Sequence, residues 1–284
     1  MMALWFVISL TSCGTSRIIV KKNSNTLTDR LPQPNSIFII TKEDPDLGDS
    51  FLIGTIATKH NGFSGDCNLR QVKRAAEKEA KEIGGNLIFI TKHKLPNTLL
   101  NPCHRIRGNI YSVPNPEAFE KEILWNPNRK LKVRDFKGST LDKPYVAATN
   151  TYFGYSTSVK SEENLVIVEV DTYFDCELSY YKNNKNQSLV LNHEQLHFDI
   201  TELYARKFIQ RLHQEIKNFE DLIKNVERIG NEVNKELLLK QEAYDKAVYS
   251  DLSQQSYWDK WTETGLRELD IYNSKTISRP YRKD

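Results

Sequence analysis

His193-Glu194-Gln195-Leu196-His197 places two imidazoles four residues apart, with a carboxylate beside the first. That is the His-Glu-x-x-His pattern of zinc peptidases. On a helix, positions four apart lie one turn apart on the same face, so both rings can reach a single metal ion. Glu194 is then about a third of a turn round from His193, near enough to act on water at the metal without being a ligand. Zinc takes neutral imidazoles readily, lowers the pKa of bound water towards neutrality and polarises a carbonyl. Glu194 is the candidate general base, taking the water's proton and passing it to the leaving amine. The chemistry these residues spell is amide hydrolysis without a covalent intermediate.

A catalytic zinc site needs a third protein ligand and an open fourth position. His213 is the only histidine after the pentapeptide, and it lies sixteen residues beyond His197, about 24 Å along a continuous helix. It reaches the same ion only if the helix breaks. The position ten residues after His193 is Leu203, so the extended three-histidine pattern is absent. A carboxylate from a later helix is the better candidate, and Glu242, Asp245, Asp259 and Glu263 are available. Asp199 and Glu202 point away from the histidine face of a regular helix.

The elements that must carry these groups can be read from periodicity. The motif helix is expected to begin near Ser188, with Leu196, Ile200, Leu203, Phe208, Leu212, Ile216 and Phe219 recurring at helical spacing. A break is expected near Gly230-Asn231, followed by a second amphipathic stretch through Val233, Leu237 and Tyr244. A last helix should hold Trp258, Trp261, Leu266 and Leu269, its tryptophans packing in a core. Upstream, strands are expected over 145–158 and 164–174. Before them, residues 36–116 read as a compact unit of its own. Phe51 to Ile56, Asn86 to Ile90 and Arg105 to Val113 read as strands, and Asn68 to Ile83 as a helix stopped by Gly84-Gly85. His60, His93 and His104 in this unit show no ligand spacing and are expected on the surface or in loops.

The run from Leu191 to Arg206, Leu-Asn-His-Glu-Gln-Leu-His-Phe-Asp-Ile-Thr-Glu-Leu-Tyr-Ala-Arg, resembles the core of the DUF922 family, described as predicted secreted zinc-dependent proteases. Arg134-Asp135-Phe136-Lys137-Gly138 and Ala147-Ala148-Thr149 resemble segments further upstream in that family, so the resemblance spans about 129–269. It implies that His193 and His197 are zinc ligands and that Glu194 is catalytic. The family also carries a later Tyr-Asp-x-Glu-Thr-x-His segment, which here reads Tyr244-Asp245-Lys246-Ala247-Val248-Tyr249-Ser250. Ser250 stands where the family has histidine, and Asp245 is the third ligand expected from this segment. The rival expectation, drawn from the same departure, is a catalytically degenerate peptidase fold serving as an envelope binding or scaffolding module.

The start of the chain points to a location. Ala3 to Ile8 is a short apolar run ending in Leu10-Thr11-Ser12-Cys13, which resembles a bacterial lipoprotein signal with Cys13 as the acylated residue. Residues 14–35, rich in Ser, Thr, Asn and Lys, read as a tether. In an oxidising periplasm Cys67 and Cys103 are expected to pair, leaving Cys176 single. Hydrophobic content of 39% and a net charge of +3 over 284 residues are ordinary for a globular chain, and nothing in them points to nucleic-acid binding.

The expectation is therefore an α+β protein. Residues 1–13 are a lipoprotein signal and 14–35 a tether; 36–116 form a small α/β unit and 117–284 a zincin-like domain with a few antiparallel strands and long helices. Its function would be that of a zinc-dependent endopeptidase acting on peptides or proteins, anchored by an N-terminal lipid in the bacterial cell envelope and facing the periplasm or the cell surface.

Overall fold

Asn68 begins the first helix with a reciprocal cap. Its side-chain oxygen accepts from the Gln71 backbone N–H at 2.8 Å, and the Gln71 side chain accepts from the Asn68 N–H at 3.1 Å. Helix α1 (Leu69–Glu82) ends where Gly84 adopts φ 92°, a left-handed conformation that costs glycine nothing. In this computed structural model residues 16–22, 39–41, 50–60, 68–96, 103–160, 163–183 and 185–282 are described. They form a mixed α+β protein of two compact units, Met1–Phe119 and Glu120–Asp284.

The first unit is a five-stranded sheet with α1 on one face. Its strands are β1 (Ser16–Lys22), β2 (Ile39–Thr41), β3 (Phe51–His60), β4 (Leu87–Lys94) and β5 (Arg105–Ser112), in the order β1-β3-β5-β4-β2. Only the β2–β4 pair is parallel. Val72, Ala76 and Ala80 of α1 pack on Ile53, Ile56, Ile88, Ile106 and Ile110 of the sheet. Residues 16–22 correct the expected tether: they pair with β3 along their whole length. Ile18 and Val20 pack towards the core with Ile19 half-buried between them and basic residues on both sides, a short apolar run easily lost in a polar segment.

Cys103 is disulfide-bonded; Cys67, its expected partner, lies outside the described residues, as do Cys13 and the apolar run before it. Cys176, in the second unit, is free and buried. His93 and His104 are half-buried rather than loose on the surface, with His93 Nε2 2.9 Å from His104 Nδ1 and the rings stacked. His60 lies on β3, and its side chain is outside the described set.

In the second unit β8 (Thr151–Lys160) pairs along the length of β9 (Leu165–Asp175), while β6 (Glu122–Leu124) and β11 (Thr276–Pro280) pair with opposite ends of β9. All of these pairs are antiparallel. A separate two-stranded ribbon joins β7 (Ala147–Ala148) to β10 (Tyr180–Tyr181). Three helices complete the unit: α2 (Gln187–Glu215), α3 (Phe219–Ser250) and α4 (Gln254–Glu268). Val166, Val168 and Val170 of β9 share one core with Ile200, Tyr204 and Phe208 of α2 and with Val226, Ile229 and Val233 of α3.

The expected break at Gly230-Asn231 is absent, and the chain turns instead at residues 216–218. Asn218 starts α3 by accepting from the Asp221 N–H at 3.0 Å. A glycine inside a helix costs about 1 kcal/mol. Burial of Val226, Ile229 and Val233 on either side of Gly230 outweighs that cost.

Candidate metal centre

Helix α2 brings the two histidines into register one turn apart, and their Nε2 atoms lie 3.3 Å from each other. Helix α3 brings Asp245 to the same point, its Oδ1 3.1 Å from His193 Nε2 and 2.9 Å from His197 Nε2. Among the described residues these three are the one group of His, Cys, Asp or Glu side chains able to hold a metal ion. For metal–ligand bonds of about 2.0–2.1 Å, the edges of a tetrahedron are about 3.3–3.4 Å. The three separations fall at or a few tenths of an ångström inside that value, so a small outward shift accommodates an ion. Three such ligands would leave the fourth corner of a tetrahedron open.

The surrounding side chains fix which ring nitrogen of His197 faces the cluster. The Gln241 amide donates to the His197 carbonyl at 3.0 Å and to Thr201 Oγ1 at 3.1 Å, so its oxygen must face His197 Nδ1 and accept from it. That assigns the proton to Nδ1 and leaves the Nε2 lone pair directed at the cluster. His193 is held by stacking, between Tyr244 at 4.7 Å and Tyr249 at 5.4 Å between ring centres. Tyr244 in turn donates to Gln255 Oε1 at 2.8 Å, and the Gln255 amide donates to Asp259 Oδ1 at 2.8 Å. Gln241 and Asp245 are four apart on α3, a spacing visible in the sequence but meaningless there without knowing which face meets α2.

The electrostatics follow from this packing. Burial acts most strongly on the Asp245 carboxyl and pushes its pKa up, but hydrogen bonds and charge from His193 and His197 together hold it well below the usual carboxylate range. Burial acts on His197 in the opposite sense, and the hydrogen bond and charge of Asp245, with the charge of Glu194, outweigh it and raise the ring's pKa. Glu194 is only 3% exposed, and its Oε2 has no hydrogen-bond partner among the described residues. A buried carboxylate oxygen without a donor is costly, and such groups mark sites kept for something that binds. The Tyr181 hydroxyl is also buried without a partner among the described residues, and burial together with the charge of Glu194 raises its pKa.

No family model, curated protein or solved structure matches this chain. The site therefore has to be read from its own chemistry.

The other residues singled out by the sequence are engaged elsewhere. His213 packs against Tyr272 at the far end of α2. Asp199 accepts from Trp125 Nε1 at 2.7 Å and from Gln195 Nε2 at 2.9 Å, and burial raises its pKa. Glu202 is fully buried between Lys275 Nζ at 2.7 Å and Arg206 Nε at 3.0 Å. Glu242 and Glu263 are exposed, and Asp259 is bound by Gln255. Ser250 is exposed at the end of α3, its hydroxyl donating to the Lys246 carbonyl at 2.7 Å. Of the four carboxylates left open by the sequence, Asp245 is the one at the histidines.

Proposed function

We propose that this protein is a zinc-dependent endopeptidase. The observation that carries the reading is the meeting of His193, His197 and Asp245 beside a buried Glu194 whose Oε2 has no partner among the described residues. Two imidazoles and one carboxylate suit zinc, and the assigned Nδ1 proton on His197 leaves the correct nitrogen for it. Zinc held by these residues would supply Lewis acidity to a peptide carbonyl and to water at the open position. Glu194 takes a proton from the attacking water on Oε2 as the new C–O bond forms, and then gives it to the leaving nitrogen as the peptide C–N bond breaks. Tyr244 and Tyr249 keep the His193 ring from rotating, and Gln241 does the same for His197.

The resemblance of Leu191 to Arg206 to the predicted secreted zinc proteases of the DUF922 family supports the same reading, and Cys13 within a lipoprotein-like signal supports work in the bacterial envelope on a lipid anchor.

Metal analysis of the purified protein should find one zinc per chain, lost in His193→Ala, His197→Ala and Asp245→Ala. Glu194→Ala should keep zinc and lose hydrolysis of an unfolded protein substrate. No zinc in the intact protein sinks the proposal, and zinc without Glu194-dependent cleavage replaces it with a binding module. Cys13→Ser should release the protein from membranes, and an unchanged membrane fraction removes the anchor.

A further inference from the structure

An apolar cavity of about 330 Å³ opens directly beside Glu194 and His193. Its walls come from three separate parts of the second unit: Val146 beside β7, Leu189 and Val190 from the first turn of α2, and Val248, Tyr249 and Leu252 from the end of α3 and the residues just after it. The cavity's one amide side chain, Gln255, is already committed, its oxygen to Tyr244 and its nitrogen to Asp259. Glu194 is the charged carboxylate at its edge. Such a pocket gives an aliphatic or aromatic side chain apolar contact on several sides, has no free complement for a neutral polar one within its walls, and repels an acidic one. Its volume is at the lower end for ligand sites, room for one large side chain rather than an extended ligand.

Which substrate residue enters follows from the proton path. Glu194 must reach the nitrogen that leaves, so the residue carrying that nitrogen lies against Glu194. The pocket beside Glu194 is therefore next to that residue's side chain. Resting on the peptidase reading, the geometry points to a specificity pocket for a large apolar residue, aliphatic or aromatic, immediately after the scissile bond. Leu189, Tyr249 and Leu252 are its specificity-determining residues. They are exposed on the open side of the cavity, which an incoming side chain would cover. Tyr145 stacks on Tyr249 at 6.3 Å between ring centres and extends that wall outward.

Two measurements test this on the full chain loaded with zinc. Mass-spectrometric mapping of cuts in an unfolded protein mixture, with Glu194→Gln as the blank, should find Leu, Ile, Met, Phe or Tyr after the cut and few Asp or Glu. Leu189→Trp, which fills the cavity from an exposed helix position, should shift the cuts towards Gly, Ala and Ser, and Leu252→Trp should do the same by an independent route. Calorimetry on zinc-loaded Glu194→Gln, which needs no turnover, should show phenylalanine hydroxamate binding about ten- to a hundredfold tighter than glycine hydroxamate, the value of burying one such side chain. Leu189→Trp in that background should remove the difference. Cleavage that ignores the residue after the cut, or equal affinity for the two hydroxamates, overturns the pocket and leaves the peptidase standing. A hydroxamate preference that Leu189→Trp abolishes, found without any cleavage, keeps the pocket and overturns the peptidase.

Discussion

At the scale of single residues, the least expected participant is Gln241. A glutamine between two helices can orient its amide either way, and here two donations from its nitrogen, to the His197 carbonyl and Thr201, leave its oxygen for the His197 ring. Replacing it with leucine removes the group that holds the Nδ1 proton. Zinc affinity of Gln241→Leu, read by chelator competition, should fall by about 10- to 100-fold, and an unchanged affinity would show that ring orientation is set by packing alone. Tyr244 makes a second prediction. Tyr244→Phe keeps the stack on His193 but leaves the buried Gln255 oxygen without its donor, so urea unfolding should show a loss of about 1–3 kcal/mol. A smaller loss would mean that water replaces the hydroxyl.

At the scale of elements, the centre depends on how α3 lies against α2. The turn at residues 216–218 sets that crossing, and Asn218 is the cap that starts α3. Asn218→Ala should cost about 1 kcal/mol in chemical denaturation. The middle of α2 is tied to the sheet through Glu202, which bonds Arg206 on its own helix, Thr172 on β9 and Lys275 just before β11. Breaking one arm of a buried ion group leaves charge without compensation. Lys275→Met should therefore destabilise the unit by about 3–5 kcal/mol, measured by thermal or urea unfolding. A neutral result would show that Arg206 and Thr172 together suffice for Glu202.

At the scale of the whole molecule, the two units carry different chemistry. The disulfide-bonded Cys103 belongs to the first unit, and the three residues that could hold a metal ion all belong to the second. Hydrogen exchange should accordingly respond to zinc over α2 and α3 and to reductant over β3 to β5, with little response the other way round. Zinc in thousandfold excess over its dissociation constant adds about 4 kcal/mol to the folded state, and a zinc effect spread evenly over both units would contradict this division. Much of this organisation is legible in the chain itself. The start of α1 at Asn68 and its stop at the glycines follow from capping chemistry, and β3, β4, β5 and β9 follow from apolar runs and alternation. Strands β2 and β6 are too short to show a period, and β1 is disguised by its basic and polar neighbours. Strand β11 follows Thr276 and Ile277 with Ser-Arg-Pro, too short a run of β formers to show a period, and it pairs where β9 offers it an edge. The sequence by itself determined His193, Glu194 and His197, because helical spacing is local and four residues always return to the same face. The tertiary structure decided which of four later carboxylates joins them, that Gln241 orients His197, and that an apolar cavity lies beside Glu194. Those three facts depend on the crossing of helices distant in sequence, and a ligand is in or out of a metal's reach by about an ångström.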